Sequence, residues 1–376
     1  MKKLLIMASL FWPQKNSGGP PISIMNLVQS VKNNFDIYVI SKNHEINDDR
    51  PLEGIHEGWN RFDFGKVIYT PKGEHDFRTV TGLIKEVEPD VIYQNSFFSI
   101  DDLLPVLVYK KKHKNVKVIV APRGEFCPER LHVGKWKKTV YGKLFRYSGL
   151  LKDVYFQGTG QEECMQEKAF LGIPDDYLLN IQNISLPFKG SHGRTEKNAN
   201  ELKLVYIARI HPTKSTLKAI EWLGGLSGNI QYDIYGSIED EMYWKQCQNA
   251  VDRLPKNITV RYMGVIDHNQ VASTIAGYHA YYMPTTGENF GHSIVEAMLL
   301  GKPVVISDQT PWTDVNGNGG FAIPLNDENA FVAALQDLCE MDETDYHVCE
   351  KKIQHYIGTK LNTEDTVRNY ITAFSE

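Results

Sequence analysis

Short runs of apolar residues alternate with stretches of helical periodicity along nearly the whole chain, a pattern typical of parallel β-sheets covered by helices. In the first half the runs predict strands at Lys3–Ala8, Ile37–Ile40, Val91–Tyr93, Val116–Val120, Val154–Phe156 and Leu178–Gln182. In the second half they predict strands at Leu202–Ala208, Ile230–Tyr235, Thr259–Met263, Ala280–Met283, Pro303–Ile306 and Gly320–Ile323. Helices are expected between them, for example at Pro20–Lys32 and Leu103–His113, and Asn43–Lys72 predicts loops with a short hairpin.

The chain has 376 residues, which favours two domains with separate cores. A polar stretch without periodicity, Phe188–Asn200, is the best candidate for the linker. We therefore expect an α/β chain of two doubly wound, Rossmann-like domains, residues 1–187 and 188–360, facing a central cleft. Residues 361–376 predict a C-terminal helix that packs back on the first domain.

The composition, 42% hydrophobic and 23% charged residues, excludes a disordered, collagenous or coiled-coil chain. No run approaches the roughly 20 apolar residues of a membrane-spanning helix. The apolar run near the N-terminus is short and leads into a polar, glycine-rich segment, so it predicts a strand rather than a signal peptide. The five scattered cysteines match neither a disulfide framework nor a zinc site, which favours a reduced, cytoplasmic protein.

Charge is distributed unevenly along the chain. The net charge is −5, yet residues 105–152 contain thirteen basic and only two acidic residues, a net charge of +11. Such a basic segment on an acidic protein is a plausible docking surface for an anionic partner. Nucleic acid is disfavoured, because no recognised binding motif accompanies the charge.

The segment Tyr282–Ile306 reads as a strand, a glycine-containing loop, a helix from about Gly291 to Gly301, and a second strand. Glu296 is the single polar residue from Ile294 to Leu300. It either faces the cleft and accepts hydrogen bonds from ligand hydroxyls, or lies on a thin solvated edge. Glu288 precedes the helix, whose N-terminal amides form an anion site. Two carboxylates on either side of a phosphate-binding site match the order of groups in a sugar nucleotide, which has sugar hydroxyls, a diphosphate and ribose hydroxyls.

Two further loops follow predicted strands. Arg209 and Lys214 flank Pro212 before a helix that is expected to begin near Thr213, and both are suited to phosphate oxygens, although such residues are more often solvated. Gly18 and Gly19 follow the first strand and permit close approach of a ligand, or form an ordinary flexible turn.

Together these motifs resemble the retaining glycosyltransferases of family 4, which have the GT-B fold. The run Gly-Glu-Asn-Phe-Gly-His-Ser-Ile-Val-Glu-Ala, residues 287–297, carries most of the resemblance. The resemblance implies that Glu288 contacts donor-sugar hydroxyls and that Glu296 holds the ribose hydroxyls. It also implies a donor site that includes the loop and helix-start residues Asn289, Phe290, Gly291, His292 and Ser293. Arg209 and Lys214 would neutralise the diphosphate, with Gly18 and Gly19 bordering it. Catalytic roles fall to Glu288, Arg209 and Lys214.

One departure from the family pattern concerns Ala121-Pro-Arg-Gly-Glu125, where Arg123 stands at the place of a histidine that many members carry. This resembles a bacterial surface-polysaccharide branch. Arg123, with Glu125 beside it, is expected to meet the acceptor or the donor in the cleft, the alternative being one more member of the basic segment.

The segment Leu131–Leu151 predicts an amphipathic helix that bears on the acceptor. An apolar stripe of Trp136, Val140, Leu144 and Leu151, widened by Tyr141 and Phe145, is flanked by basic residues that include Lys137, Lys138 and Lys143. Such a helix suits anionic lipid headgroups, or it is a core-facing helix with a solvated basic side.

These expectations amount to a retaining, metal-independent hexosyltransferase without a cofactor. It would take a nucleoside-diphosphate sugar as donor and a saccharide, on a lipid carrier, as acceptor. It would lie in the cytoplasm, peripheral to the inner face of the membrane, in surface-polysaccharide synthesis such as lipopolysaccharide or capsule. The alternatives are a soluble metabolic relative acting on a small glycoside, a sugar-nucleotide-binding protein without transfer activity, and an epimerase of the same fold.

Overall fold

The computed structural model describes residues 1–14, 18–45, 48–132, 134–188, 193 and 195–376, except for the side chains of Glu129 and His132. The described chain divides into two units. The first comprises Met1–Ile184 and Thr363–Glu376, and the second comprises Ser185–Asn362. The second unit is therefore inserted into the first.

The first unit is built on an eight-stranded sheet. Its strands are β1 (Lys3–Met7), β2 (Asp36–Lys42), β3 (Trp59–Phe62), β4 (Gly65–Thr70), β5 (Val91–Asn95), β6 (Lys117–Ala121), β7 (Tyr155–Gly158) and β8 (Leu178–Asn180). Their order is β3-β4-β2-β1-β5-β6-β7-β8, and every pair is parallel except β3–β4. The predicted hairpin in Asn43–Lys72 is this β3–β4 pair, which continues the sheet through β4.

Seven helices cover this sheet in the described part of the first unit. They are α1 (Gly19–Val31), α2 (Phe77–Val87), α3 (Ile100–Lys112), α4 (Pro128–His132), α5 (Lys135–Tyr147), α6 (Gln161–Leu171) and, at the end of the chain, α13 (Thr363–Ser375). Alternate residues of β1 enter opposite layers: Leu4 and Ile6 join the core beneath α1 and α13, whereas Leu5 and Met7 join the core on the other face. The sheet is thus covered on both sides, as a doubly wound fold requires.

The second unit contains a six-stranded, fully parallel sheet in the order β11-β10-β9-β12-β13-β14. Its strands are β9 (Glu201–Ile207), β10 (Asn229–Tyr235), β11 (Ile258–Gly264), β12 (Ala280–Met283), β13 (Val304–Ser307) and β14 (Phe321–Ile323). Its helices are α7 (Thr216–Leu223), α8 (Glu241–Val251), α9 (His268–Ala276), α10 (His292–Leu299), α11 (Glu328–Glu340) and α12 (Glu343–Lys360). The fold class expected from the sequence, two Rossmann-like α/β domains, is confirmed.

Two local expectations need correction or comment. The helix expected near Thr213 begins at Thr216, because Pro212–Lys214 forms a single 3-10 turn and Ser215 adopts a left-handed conformation (φ 53°). The expected linker, residues 188–200, includes residues 189–192 and 194, which lie outside the described part of the chain. The division of the chain falls earlier, after Ile184, whose side chain is still packed in the core of the first unit.

Candidate functional site

Two loops of the second unit meet at the carboxyl edge of its sheet, after the neighbouring strands β9 and β12. The carbonyl oxygen of Thr213 accepts hydrogen bonds from the amide of Thr286 (2.9 Å) and from the hydroxyls of Thr285 (3.1 Å) and Thr286 (3.0 Å). These bonds join the loop that carries Lys214 to the loop that carries Glu288. The two predicted motifs therefore form one surface, at the edge where open-sheet folds bind ligands.

The two predicted cations of this surface are each paired with a carboxylate. Nη1 of Arg209 donates to both oxygens of Glu239 at 2.8 Å, and Nζ of Lys214 forms an ion pair with Glu288. Lys214 is buried and Glu288 is half-buried. The four groups together carry no net charge.

Sequence reasoning missed Glu239. It follows β10, and its loop pairs with the Arg209 loop through main-chain hydrogen bonds from Ile210 to Ser237 (2.8 Å) and from Glu239 to Ile210 (3.2 Å). These bonds hold the loop of Glu239 beside that of Arg209, so the carboxylate can reach the guanidinium. An acidic residue just beyond a predicted strand was the available signal, but only the order of the strands reveals that β10 lies next to β9.

The start of helix α10 has the geometry of an anion site. Gly291 precedes the helix in a left-handed conformation (φ 75°), and a Cβ there would lie 2.9 Å from Cδ1 of Ile294, so glycine is required. Phe290 is buried, and its carbonyl oxygen accepts a 2.6 Å hydrogen bond from the indole of Trp312. The half-buried Asn289 lies in the same loop. The first N–H groups of a helix lack intrahelical acceptors, so they point out from this rigid turn.

The side chains of His292 and Ser293 are engaged within the protein. The ring of His292 packs edge-on against Phe290, with centroids 4.8 Å apart. The hydroxyl of Ser293 lies 2.8 Å from that of Tyr281, which donates to the carbonyl oxygen of Ile207. What these two residues offer a ligand is therefore their main-chain amides.

Glu296 is buried on α10, so the interpretation that placed it on a solvated edge is wrong. Burial raises the pKa of its carboxyl to about 8. The nearest titratable neighbour in an ion-pair geometry is His268 at the start of α9, whose Nδ1 lies 3.7 Å from Oε1 of Glu296. Burial lowers the pKa of His268. At neutral pH this pair is therefore a mostly protonated carboxyl beside a neutral imidazole.

In the first unit, Gly18 and Gly19 stand at the beginning of α1. Gly18 is exposed with φ 67°, and Gly19 is the first helical residue, followed by prolines. Ser17, which precedes them, lies outside the described residues. Their predicted contact with a donor stays a prediction.

Arg123 is buried inside the first unit rather than directed at a ligand. Its guanidinium donates to Tyr93 (2.9 Å), to Asn95 (3.2 Å) and to Asn183. All three nitrogens are therefore used by the protein itself. The expectation that Arg123 meets donor or acceptor is corrected: it joins β5 to the segment just before the chain leaves this unit.

Glu125 has a similar internal role. Its carboxylate accepts hydrogen bonds from the hydroxyl of Ser96 and from the amides of Phe97 (2.6 Å) and Phe98 (3.3 Å), and burial raises its pKa. It thus fixes the turn between β5 and α3. Sequence reasoning also missed Glu163, whose carboxylate accepts hydrogen bonds from the amides of Gly124 and Thr159.

Helix α5 turns its predicted apolar stripe outward. Trp136 is 70% exposed, Val140 46% and Leu144 66%, whereas Phe145 is buried and Tyr141 donates a hydrogen bond inward to Phe97. The core-facing interpretation of the stripe is therefore wrong, and Leu151 lies beyond the helix.

The basic residues of α5 differ in their surroundings. Lys137 and Lys143 are exposed. Lys138 is half-buried and donates to the carbonyl oxygen of Arg130 at 2.6 Å. Among the exposed residues of α5, Trp136, Lys137, Val140, Lys143 and Leu144 combine the apolar stripe with two lysines, and we call this set the α5 surface. Lys135, Arg146 and Tyr147 of the same helix are exposed as well.

The described residues contain neither a candidate metal site nor a candidate membrane-spanning helix. Within them, no three His, Cys, Asp or Glu side chains are grouped as a metal site. No helix in that part of the chain is both long and apolar enough to cross a membrane. The expected independence from metal stays a prediction.

Comparison with known proteins places this site in context. Residues 189–355 match the family model described as Glycosyl transferases group 1. The chain is 29% identical over 144 residues to O-antigen chain mannosyltransferase B of Escherichia coli, an alignment that covers 35% of this chain and only 36% of that protein.

Solved structures resemble the whole chain. Anabaena HepE (Alr3699), in complex with UDP and glucose, has a TM-score of 0.72 at 14% identity, with 100% of both chains covered. Trehalose-6-phosphate synthase OtsA has a TM-score of 0.74 at 10% identity, with 100% of this chain and 99% of that one covered. At such identities the likeness shows the fold alone. The chain thus has the GT-B fold, and residues 189–355 of its second unit are similar to the glycosyl transferases group 1 model.

Proposed function

We propose that this protein is a glycosyltransferase of surface-polysaccharide synthesis. It transfers a hexose from a nucleoside-diphosphate sugar to a hydroxyl of a lipid-linked saccharide, with retention of the anomeric configuration. The observation that carries the proposal is the joined surface of Arg209, Lys214, Glu288 and the start of α10, within a matched group 1 domain. The relation to an O-antigen mannosyltransferase supports the pathway.

The donor would lie across this surface. Arg209, Lys214 and the amides from Phe290 to Ser293 would hold the two phosphates, because cations and helix N-termini both bind such oxygens. Glu288 would accept hydrogen bonds from the hexose, and the buried Glu296 would accept them from the ribose. The nucleotide would thus be held at both ends of its diphosphate.

The reaction breaks the bond between the anomeric carbon and the β-phosphate oxygen. The acceptor hydroxyl forms the new glycosidic bond on the same face of the sugar, and its proton passes to an oxygen of the departing phosphate. Arg209, Lys214 and the helix amides lower the barrier by stabilising the negative charge that grows on the leaving diphosphate. This scheme requires no protein nucleophile and no metal.

The α5 surface would bring the enzyme to its acceptor. An exposed tryptophan and two exposed aliphatic side chains flanked by lysines match the requirements of an anionic membrane interface. A lipid-linked acceptor lies at such an interface, so the protein would be peripheral to the membrane that holds its substrate.

Two experiments test the proposal. A thermal-shift screen against UDP, GDP, ADP and their sugar conjugates, without added metal, is expected to show selective stabilisation by one nucleotide family. If none of them shifts the melting temperature, the donor assignment is wrong. A nucleotide-dependent shift that appears only with added magnesium or manganese would contradict only the proposed independence from metal.

The membrane claim is tested separately by sedimentation with vesicles of phosphatidylglycerol and phosphatidylcholine. The double variant Lys137→Glu/Lys143→Glu is expected to lose binding while it keeps nucleotide affinity. Lys111→Glu/Lys114→Glu, an equal change of charge at exposed positions near the end of α3, is the matched control. Equal losses in both variants would indicate a general charge effect rather than a docking surface.

A further inference from the structure

The carboxylate of Glu239 lies beside Arg209, a proposed ligand of the diphosphate, and the proposed reaction gives it no role. Arg209 and Lys214 bring two positive charges to the proposed phosphate site, yet Glu239 and Glu288 cancel both. Glu288 has the sugar hydroxyls as its proposed partners. Among the charged side chains of this surface that the structure describes, Glu239 forms hydrogen bonds to Arg209 only.

The contact leaves Arg209 free to bind a ligand. Both hydrogen bonds to Glu239 come from Nη1, so the edge formed by Nε and Nη2 has no hydrogen-bond partner among the described residues. That edge is the fork that grips phosphate oxygens side-on. Since a guanidinium is compact and each hydrogen bond spans about 2.9 Å, a phosphate held there lies roughly 6 Å from the Glu239 carboxylate.

The two nucleotides of the reaction differ in charge. In a sugar nucleotide the diphosphate is esterified at both ends and carries two ionised oxygens. Loss of the sugar leaves a terminal phosphate, which ionises a second time near pH 6. Above that pH the product therefore carries one more negative charge than the donor, and a nearby carboxylate repels the product more strongly.

We propose that Glu239 is a specificity residue that makes the site prefer the sugar nucleotide to the free nucleoside diphosphate and so promotes product release. The proposal rests on the proposed function, because it needs Arg209 at the diphosphate. Glu239 acts through charge, and its main-chain pairing with the Arg209 loop keeps the two loops together.

The test is the ratio of two dissociation constants, measured by calorimetry with UDP and UDP-glucose and with GDP and GDP-mannose. Glu239→Gln keeps the shape of the side chain and one acceptor for Arg209 but removes the charge. At pH 8 it is expected to tighten binding of the nucleoside diphosphate, relative to its sugar conjugate, by roughly threefold to tenfold. At pH 5.5, where the terminal phosphate holds its proton, the ratio is expected to equal that of the wild type.

Controls separate charge from structure. Glu241→Gln removes an equal charge from an exposed position in the first turn of α8, and is expected to leave the ratio unchanged. Glu239→Ala serves as a second variant if the glutamine protein does not fold. If Glu239 merely holds Arg209 in position, both ligands weaken equally and the ratio stays constant at pH 8, which overturns the proposal.

The failure of the proposed function would look different. If the wild type binds none of these four nucleotides, nor ADP or ADP-glucose measured in the same way, the proposed function fails and this proposal fails with it. If the wild type binds one pair but its ratio is insensitive to Glu239, only this proposal is overturned.

Discussion

The ribose-binding role proposed for Glu296 predicts that donor affinity depends on pH in a defined way. With a pKa of about 8, roughly nine-tenths of this carboxyl is protonated at pH 7 in the free protein. Ribose hydroxyls donate to the ionised form, so binding must expel the proton. Well below pH 8 each pH unit then costs about 1.4 kcal/mol, so the affinity is expected to rise about ninefold from pH 6 to 7, about fivefold from pH 7 to 8, and to level off above pH 8.

The neighbours of Glu296 do not mask this dependence. His268, with its Nδ1 3.7 Å away, has a pKa lowered by burial, so its imidazole stays neutral above pH 7. Burial raises the pKa of Tyr281, the other titratable group near Glu296, above this range. The slope between pH 7 and 8 therefore reports on Glu296 itself.

Calorimetry with UDP-glucose and GDP-mannose is the suitable assay, because an esterified diphosphate does not titrate between pH 6 and 9. Titrations in buffers of different ionisation enthalpy count the released proton directly. Glu296→Gln imitates the neutral acid and is expected to show no slope and no proton release. A wild-type affinity that is constant from pH 6 to 8, or a glutamine variant that keeps the slope, would refute the reasoning.

Three further predictions concern stability. Glu167 is buried with both oxygens unpaired among the described residues, and burial raises its pKa to about 9. In urea denaturation, the free energy of unfolding of Glu167→Met is therefore expected to exceed that of the wild type by an amount that grows by about 1.4 kcal/mol per pH unit from pH 4.5 to 9. A difference that does not grow with pH would contradict this. Arg123→Met removes one hydrogen bond from each of three buried partners, of which Tyr93 keeps its bond to Gln157, and is expected to lower the free energy of unfolding by about 3 kcal/mol while nucleotide affinity is unchanged. Lost affinity in the folded variant would return Arg123 to the ligand site. Gly236→Ala places a Cβ 1.9 Å from the carbonyl oxygen of Ala208 and is expected to lower the melting temperature more than the control Gly317→Ala. Gly317 also has a positive φ, but a Cβ there would meet nothing within 4 Å. Equal shifts in the two variants would show that backbone strain alone matters.

The sheets of both units were predictable because their central strands, such as β1 and β12, are buried on both faces and apolar. Strand β12 ends at the residues that the apolar run predicts, and the other strands shift by one or two positions. Helix starts depend on single backbone conformations. The left-handed Ser215, which delays α7, has no signature in hydrophobicity.

The candidate site was predictable for groups within one motif and not for groups brought together by sheet order. Glu288 and Lys214 belong to recognisable motifs, whereas Glu239 becomes a partner of Arg209 only because β10 neighbours β9. Helix α5 illustrates a second limit. Its periodicity defines an apolar stripe but not its direction, which is set by close packing of Gly142 against Phe170 of α6.

The interrupted first unit has a consequence for biosynthesis. Helix α13 supplies Tyr370 and Phe374 to the core that also contains Phe35, with the rings of Phe35 and Phe374 5.7 Å apart. These residues leave the ribosome only after the whole second unit has been made. The first unit is thus completed only after the second has been made, and until then the part of its core that α13 covers presents apolar side chains to chaperones and proteases.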